Sequence, residues 1–109
     1  RAILHRKGLC RALARDARFA GIADVRRRTY AAMVDVLDEN IGKVVDKVNS
    51  AGIANKTMFI YMSDNGGAGY YAAFGGNFSY NTPLSGWKGA ESDEGSIRVP
   101  CVVSWPSVI

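Results

Sequence analysis

The chain has 109 residues, of which 48% are hydrophobic and 22% charged, and its formal net charge is +4. These values are typical of a soluble globular domain with a modest core. No apolar run reaches the roughly 18 to 20 residues that a membrane-spanning helix needs, so we expect no transmembrane segment. Two cysteines without CxxC or Cys/His spacing argue against a zinc site.

The positive charge is concentrated at the N-terminal end. Residues 1–28 hold nine Arg or Lys against two Asp, which gives this segment a charge of +7. Proteins that bind single-stranded nucleic acid combine such charge with stacking aromatic side chains, and Phe19 is the only aromatic residue here. We therefore expect no nucleic-acid partner and interpret residues 1–14 as a basic leader.

A long amphipathic helix is predicted from Asp24 to about Ser50. Asp24 is a suitable N-cap, and Gly52 provides a left-handed stop. Apolar residues recur at intervals of three and four, which is the spacing of one helix face. This predicted stripe comprises Tyr30, Met33, Val34, Leu37, Ile41, Val44, Val45 and Val48.

Two strands and a long connection follow the helix. Residues 57–63 form a short apolar run bounded by turn-forming residues, which predicts a buried strand. A helix followed by such a strand is typical of a parallel-sheet unit. Residues 64–96 carry most of the chain's 12 glycines, and an irregular loop of this length is usually functional. Residues 97–105 read as a second strand, in which Pro100 favours an edge position or a bulge.

The connection begins with a candidate metal site. Asp64 and Asn65 follow the first strand directly and offer the hard oxygen ligands that suit Ca²⁺ or Mg²⁺. Gly66 and Gly67 allow the backbone to turn sharply there. The alternative is an ordinary Asn-Gly turn after a core strand.

Lys88 is the second candidate site residue. It lies between Gly86 and Gly89, where its ammonium group can project into a pocket. Beside a metal bound by Asp64 and Asn65, this charge would stabilise a sulfuryl or phosphoryl group during transfer. The alternative interpretation is a solvated lysine in a loop.

Several ordered motifs resemble the sulfatase family, specifically the arylsulfatase B-like members of the alkaline phosphatase superfamily. The resemblance covers about residues 15–106. In chain order the motifs are Tyr30 to Val34 with Leu37-Asp38, Ser63 to Gly67, Asn81, Pro83-Leu84, Gly86, Lys88-Gly89, Glu94-Gly95 and Ile97 to Pro100.

The resemblance implies an α/β fold, with residues 15–109 forming the C-terminal part of an alkaline phosphatase-like domain of mixed or parallel sheet and flanking helices. It also implies a Ca²⁺-dependent hydrolase whose nucleophile is a formylglycine made from a cysteine. Asp64 and Asn65 match family calcium ligands, and Lys88 matches a lysine that contacts the sulfate.

Other family motifs are missing from this chain. The Cys-x-Pro-Ser-Arg nucleophile motif and a pair of N-terminal aspartates are absent, so neither Cys10 nor Cys101 is a candidate nucleophile. His5 lies about the right distance before Tyr30 to match a family histidine, but Arg6-Lys7-Gly8 replaces the Thr-Pro-Leu that usually follows, and the alternative is a solvated histidine in a basic leader. Ser85 replaces the usual arginine before Gly86. We therefore assign no catalytic residue here and expect the chain alone to be inactive.

The resemblance predicts that the full-length protein hydrolyses sulfate esters of small molecules or glycans. A phosphatase or phosphotransferase of the same superfamily, or a non-catalytic sulfatase-like binding protein, are the alternatives. Asn55-Lys56-Thr57 and Asn77-Phe78-Ser79 are N-glycosylation sequons, which favour a lysosomal or secreted location. The sequence makes no prediction of oligomeric state.

Overall fold

A computed structural model describes residues 16–69, 79–90 and 92–109. The expectations for the leader of residues 1–14, His5, Cys10 and Asn77 lie outside this part. Two helices, α1 and α2, alternate with two strands, β1 and β2, and two short 3-10 helices complete the described elements. In chain order these are the 3-10 helix Asp16–Phe19, α1 (Val25–Ser50), the 3-10 helix Ala54–Lys56, β1 (Phe59–Met62), α2 (Glu94–Ile97) and β2 (Cys101–Ser104).

The ends of α1 follow the sequence prediction. The Oδ1 atom of Asp24 accepts a hydrogen bond from the backbone amide of Arg27 at 2.9 Å, which is the geometry of an N-cap. At the other end, Gly52 has a φ of +69°, and its amide donates to the carbonyl of Asn49 at 3.0 Å. The left-handed conformation closes the helix as predicted, because glycine adopts it without a steric penalty.

The chain divides into two compact units, with the boundary after Asp46. In the first unit, Ala32 and Val36 of α1 form a small buried core, against which Phe19 packs. Arg18 reinforces this contact, since its guanidinium donates two hydrogen bonds of 3.1 Å to the carboxylate of Asp35. The 3-10 helix is thus held on α1 by one aromatic contact and one bidentate ion pair.

The predicted apolar stripe on α1 is wrong in part. Leu37 and Val44 are 49% and 60% exposed, and the two buried positions of the helix are Ala32 and Val36. Periodicity identifies an apolar face, but burial requires an element that packs on it. The short 3-10 helix that packs on α1 covers the side of Ala32 and Val36 instead.

In the second unit, β1 and β2 form a two-stranded antiparallel sheet. Phe59 pairs with Ser104, and Met62 pairs with Cys101. The helix-strand order had favoured a parallel neighbour. Beyond the paired residues, the chain leaving β1 runs beside the chain approaching β2, and the Gly66 amide donates to the Ser96 carbonyl at 2.7 Å. A mixed sheet contains such pairs.

The predicted burial of β1 is also wrong. Phe59 is half-buried, but Ile60, Tyr61 and Met62 are 57%, 44% and 57% exposed. A two-stranded ribbon buries a face only where another layer covers it. Among the described helices and strands, β1 and β2 contact chiefly each other.

The second strand is shorter than predicted. Residues 101–104 form β2, whereas Ile97 ends the short helix α2. Pro100 lies immediately before the strand, where its missing N–H removes no ladder hydrogen bond. The capping amide of Arg98 donates to the carbonyl of Glu94, so local helical pairing prevails over the apolar pattern at this point.

A side-chain clasp joins the end of β2 to the turn before β1. The indole Nε1 of Trp105 and the hydroxyl of Ser107 both donate to the carbonyl oxygen of Asn55, at 3.0 and 2.7 Å. Asn55 lies in the 3-10 helix Ala54–Lys56, which precedes β1. None of the described helices is long and apolar enough to cross a membrane.

Candidate active site

The turn after β1 carries the predicted metal ligands. Ser63 donates from its hydroxyl to the carbonyl of Asn65 at 2.8 Å, which bends the backbone around Asp64. The side-chain Nδ2 of Asn65 donates to the carbonyl of Gly66 at 2.9 Å. This bond uses the Nδ2 atom of the amide, so the Oδ1 atom is the one that can serve as a metal ligand. Asp64 is exposed and Asn65 is half-buried.

Close backbone packing explains the glycine that follows. Gly66 is buried, and a Cβ at this position would overlap the carbonyl oxygen of Gly95. Gly95 is itself buried, and its amide donates to the carbonyl of Ser85 at 2.6 Å. Three segments far apart in the chain therefore meet backbone to backbone, and side chains at either glycine would separate them.

Lys88 is connected to the same turn through its main chain. Its amide donates to the carbonyl oxygen of Gly67 at 3.0 Å. The loop around it contains two glycines in the left-handed region, Gly86 with a φ of +79° and Gly89 with a φ of +88°. The side chain of Lys88 is exposed, so its ammonium group is accessible to an anionic ligand.

The side chain of Asn81 joins the turn and the Lys88 loop. Its Oδ1 accepts from the Gly67 amide at 3.0 Å, and its Nδ2 donates to the carbonyls of Gly67 and Gly86 at 3.1 and 3.0 Å. Asn81 is half-buried. The sequence interpretation included this residue in the family motif but assigned it no role at the site. The sequence signal for such a role is an asparagine in a glycine-rich loop. Its side-chain amide can bond to backbone groups that lack a partner in a sheet or helix.

The structure thus brings some of the candidate residues into one region. The segments of Asp64-Asn65 and Lys88 share one hydrogen-bond network around Gly67. Cys101 lies exposed in β2 as a free thiol and has no place in this network. His5 and Cys10 lie outside the described residues.

The donor chemistry of the turn suits calcium, although it supplies only part of a coordination sphere. Asp64 offers a carboxylate and Asn65 an amide oxygen, both hard ligands of the kind that Ca²⁺ prefers. Calcium takes about six to eight oxygen ligands. Within residues 16–69, 79–90 and 92–109, no group of three or more His, Cys, Asp or Glu side chains could hold a metal. The two residues therefore fit as contributors to a larger site.

Comparison with known proteins identifies the family. The family model described as Sulfatase matches residues 11–109. Human arylsulfatase H is 36% identical over 87 residues, which cover 73% of this chain. Mouse arylsulfatase J is 40% identical over 88 residues and 81% of this chain, and a sulfatase of Formosa agariphila is 41% identical over 88 residues and 73% of this chain. The matched regions span 14% of the length of each of these relatives. The chain belongs to the sulfatase family.

Proposed function

We propose that the full-length protein containing this chain is a sulfuric ester hydrolase of the arylsulfatase type, and that this chain contributes metal and sulfate contacts. Membership of the sulfatase family supports the reaction class. The observation that carries the proposal is the contact between the Lys88 amide and the Gly67 carbonyl, which brings a cationic loop to the turn bearing Asp64 and Asn65.

Asp64 and Asn65 would hold Ca²⁺ through their side-chain oxygens. A bound calcium ion supplies positive charge beside the ester group. The remaining ligands would come from other parts of the full-length protein, since the described residues provide too few. The backbone bonds around Gly66 and Gly67 keep the turn in one conformation, which reduces the entropy that metal binding would otherwise cost.

Lys88 would bind the sulfate group by its ammonium charge. A sulfate ester carries negative charge on its free oxygens, and this charge shifts towards the leaving oxygen during hydrolysis. Because this charge develops at the leaving oxygen, an ammonium group beside that oxygen lowers the energy of the transition state more than that of the bound substrate. Its main-chain bond to Gly67 limits the movement of the loop that carries it.

The nucleophile would lie outside this chain. The expected formylglycine derives from a cysteine in a Cys-x-Pro-Ser-Arg sequence, which neither cysteine of this chain matches. We therefore propose that the chain by itself has no turnover. Its place in the whole protein would be the C-terminal part of an alkaline phosphatase-like α/β domain.

The substrate class that we propose is a sulfated small molecule or glycan, and the location is lysosomal or secreted. Asn55 supports this location, since its sequon lies on an exposed 3-10 turn where a glycan can be accommodated. The second sequon, at Asn77, is part of the same proposal and lies outside the described residues.

The function is tested with two esters of one phenol. The purified full-length protein is assayed with 4-nitrophenyl sulfate and with 4-nitrophenyl phosphate, which share the leaving group and differ in the group transferred. We expect calcium-dependent release of nitrophenol from the sulfate. Preferential release from the phosphate would replace the proposal with a phosphatase. No release from either ester would refute a hydrolase of the arylsulfatase type.

A further inference from the structure

The side-chain amide of Asn81 makes three hydrogen bonds within one network. Its oxygen accepts from the Gly67 amide, and its nitrogen donates to the carbonyls of Gly67 and Gly86. An asparagine nitrogen has two hydrogens to donate, and both are engaged here. The side-chain amide thus bonds both the N–H and the C=O of Gly67, as a residue on a neighbouring antiparallel strand does.

This arrangement requires an asparagine. Aspartate would keep the bond from the Gly67 amide but would place negative charge beside two carbonyl oxygens, at the 3.1 and 3.0 Å distances now held by donors. Serine has a single hydrogen to donate. The approach also requires glycine at position 67, because a Cβ there would lie 2.8 Å from the Asn81 oxygen.

The two backbone partners of Asn81 belong to the two proposed ligand-binding segments. Gly67 follows the metal-binding turn directly, and Gly86 begins the loop of Lys88. The Gly67 carbonyl accepts from both the Asn81 amide and the Lys88 main chain, at 3.1 and 3.0 Å. A change in the position of Asn81 would therefore move the turn and the loop relative to each other.

We propose that Asn81 is a positioning residue that sets the distance between the calcium-binding turn and the Lys88 ammonium group. This inference rests on the proposed function, which assigns calcium to Asp64 and Asn65 and sulfate to Lys88. Asn81 itself touches neither ligand in this role. It acts by fixing the peptide of Gly67 and the carbonyl of Gly86.

A double-mutant cycle on the full-length protein tests the inference. Asn81→Asp, Lys88→Ala and the combined variant are compared by kcat and KM for 4-nitrophenyl sulfate. We expect Asn81→Asp to lower kcat at least tenfold in the wild-type background and by less than about threefold in the Lys88→Ala background, because residues that act through one another are not additive. We also expect Asn81→Asp to raise, at least threefold, the calcium concentration that gives half of the maximal thermal stabilisation.

Asn49→Asp is the matched control. Asn49 is exposed in the last turn of α1, and the same chemical change there should leave kcat, KM and the calcium midpoint unaltered. Asn81→Ser replaces Asn81→Asp throughout the cycle if the latter does not fold, since serine removes donors without adding charge.

The outcomes separate the inference from the proposed function. Equal losses from Asn81→Asp in both backgrounds, with an unchanged calcium midpoint, would reduce Asn81 to a purely structural residue and overturn the inference while the function stands. Unchanged turnover in Lys88→Ala alone would refute the sulfate role of Lys88, and the inference with it.

Discussion

The backbone amide of Lys88 donates a hydrogen bond to the carbonyl oxygen of Gly67 at 3.0 Å. This contact joins two loop segments that are separated in the chain by residues 68–87. Because the bond is between main-chain atoms, side-chain substitutions at Lys88 leave it in place. The charge of Lys88 can therefore be tested without disturbing the loop that carries it.

Lys88→Ala should lower kcat/KM for a sulfate ester at least about tenfold, since it removes a charge directed at the transition state. Lys88→Arg, which keeps the charge with a different shape, should recover part of the loss. The measurement is steady-state turnover of 4-nitrophenyl sulfate by the full-length protein. Lys56→Ala, on the exposed 3-10 turn, is the control and should behave as wild type. An unchanged rate in Lys88→Ala would contradict the assignment.

Asp64→Ala should abolish the rise in melting temperature that calcium produces in the full-length protein. A ligand at about 100 times its Kd stabilises the folded state by about 2.7 kcal/mol, which a thermal scan detects readily. Asp38→Ala removes an exposed carboxylate of α1 and should keep the full calcium response. A response that persists in Asp64→Ala would place the calcium elsewhere.

Gly86→Ala should destabilise the protein more than Gly89→Ala does. Both glycines have positive φ angles, so alanine at either position costs about 1 kcal/mol in backbone strain. A Cβ at Gly89 meets nothing within 4 Å among the described residues, whereas at Gly86 it would lie 2.6 Å from the Oδ2 of Asp93. This overlap should add about 1 to 3 kcal/mol. Urea unfolding of the two variants provides the comparison, and equal midpoints would count against the packing described for Gly86.

Asp24→Ala should reduce the free energy of unfolding by about 1 kcal/mol, because it removes the N-cap acceptor of α1. Asp24→Asn retains an acceptor oxygen, so its free energy of unfolding should differ from that of the wild type by only about 0.3 kcal/mol. Thermal unfolding followed by circular dichroism gives both values. Equal loss in the two variants would indicate that charge, rather than the bond to the Arg27 amide, stabilises the helix start.

Asn55→Gln should remove a glycan from the full-length protein expressed in a eukaryotic secretory host. The loss is measured as a smaller mobility shift on treatment with peptide N-glycosidase. Asn49→Gln, an exposed asparagine outside any sequon, should leave the shift unchanged. Mass spectrometry that finds the wild-type Asn55 unmodified would contradict a glycan at this site.

Local signals in the sequence predicted much of the local structure. Asp24 and Gly52 located the two ends of α1, since caps depend on one side chain and a few backbone groups. The apolar run gave β1 to within two residues at each end, and the ordered motifs identified the sulfatase family, which the comparisons confirm. Such features depend on residues that are close in the sequence, so they can be predicted without knowledge of the fold.

Features that depend on distant partners were less accessible. The burial expected for Leu37 and for β1 failed because it depends on what packs against an apolar face, which periodicity does not reveal. Asn81 was named in the family motif but given no role, because its partners include Gly67, 14 residues away, and only the folded loop brings them together. The roles of Asp64, Asn65 and Lys88 stay predictions that the experiments above address.

The clasp at Asn55 gives the protein an intrinsic optical reporter. The indole nitrogen of Trp105 donates to the carbonyl of Asn55, in the 3-10 helix before β1. Trp87, the chain's other tryptophan, directly precedes Lys88 in the sequence. A Trp87→Phe background would leave, within this chain, an emission signal that follows the pairing of β1 and β2. The converse, Trp105→Phe, would leave a fluorophore beside the proposed sulfate contact. Within this chain, the emission of Trp105 would therefore report on the ribbon of β1 and β2, and the emission of Trp87 on the loop of Lys88.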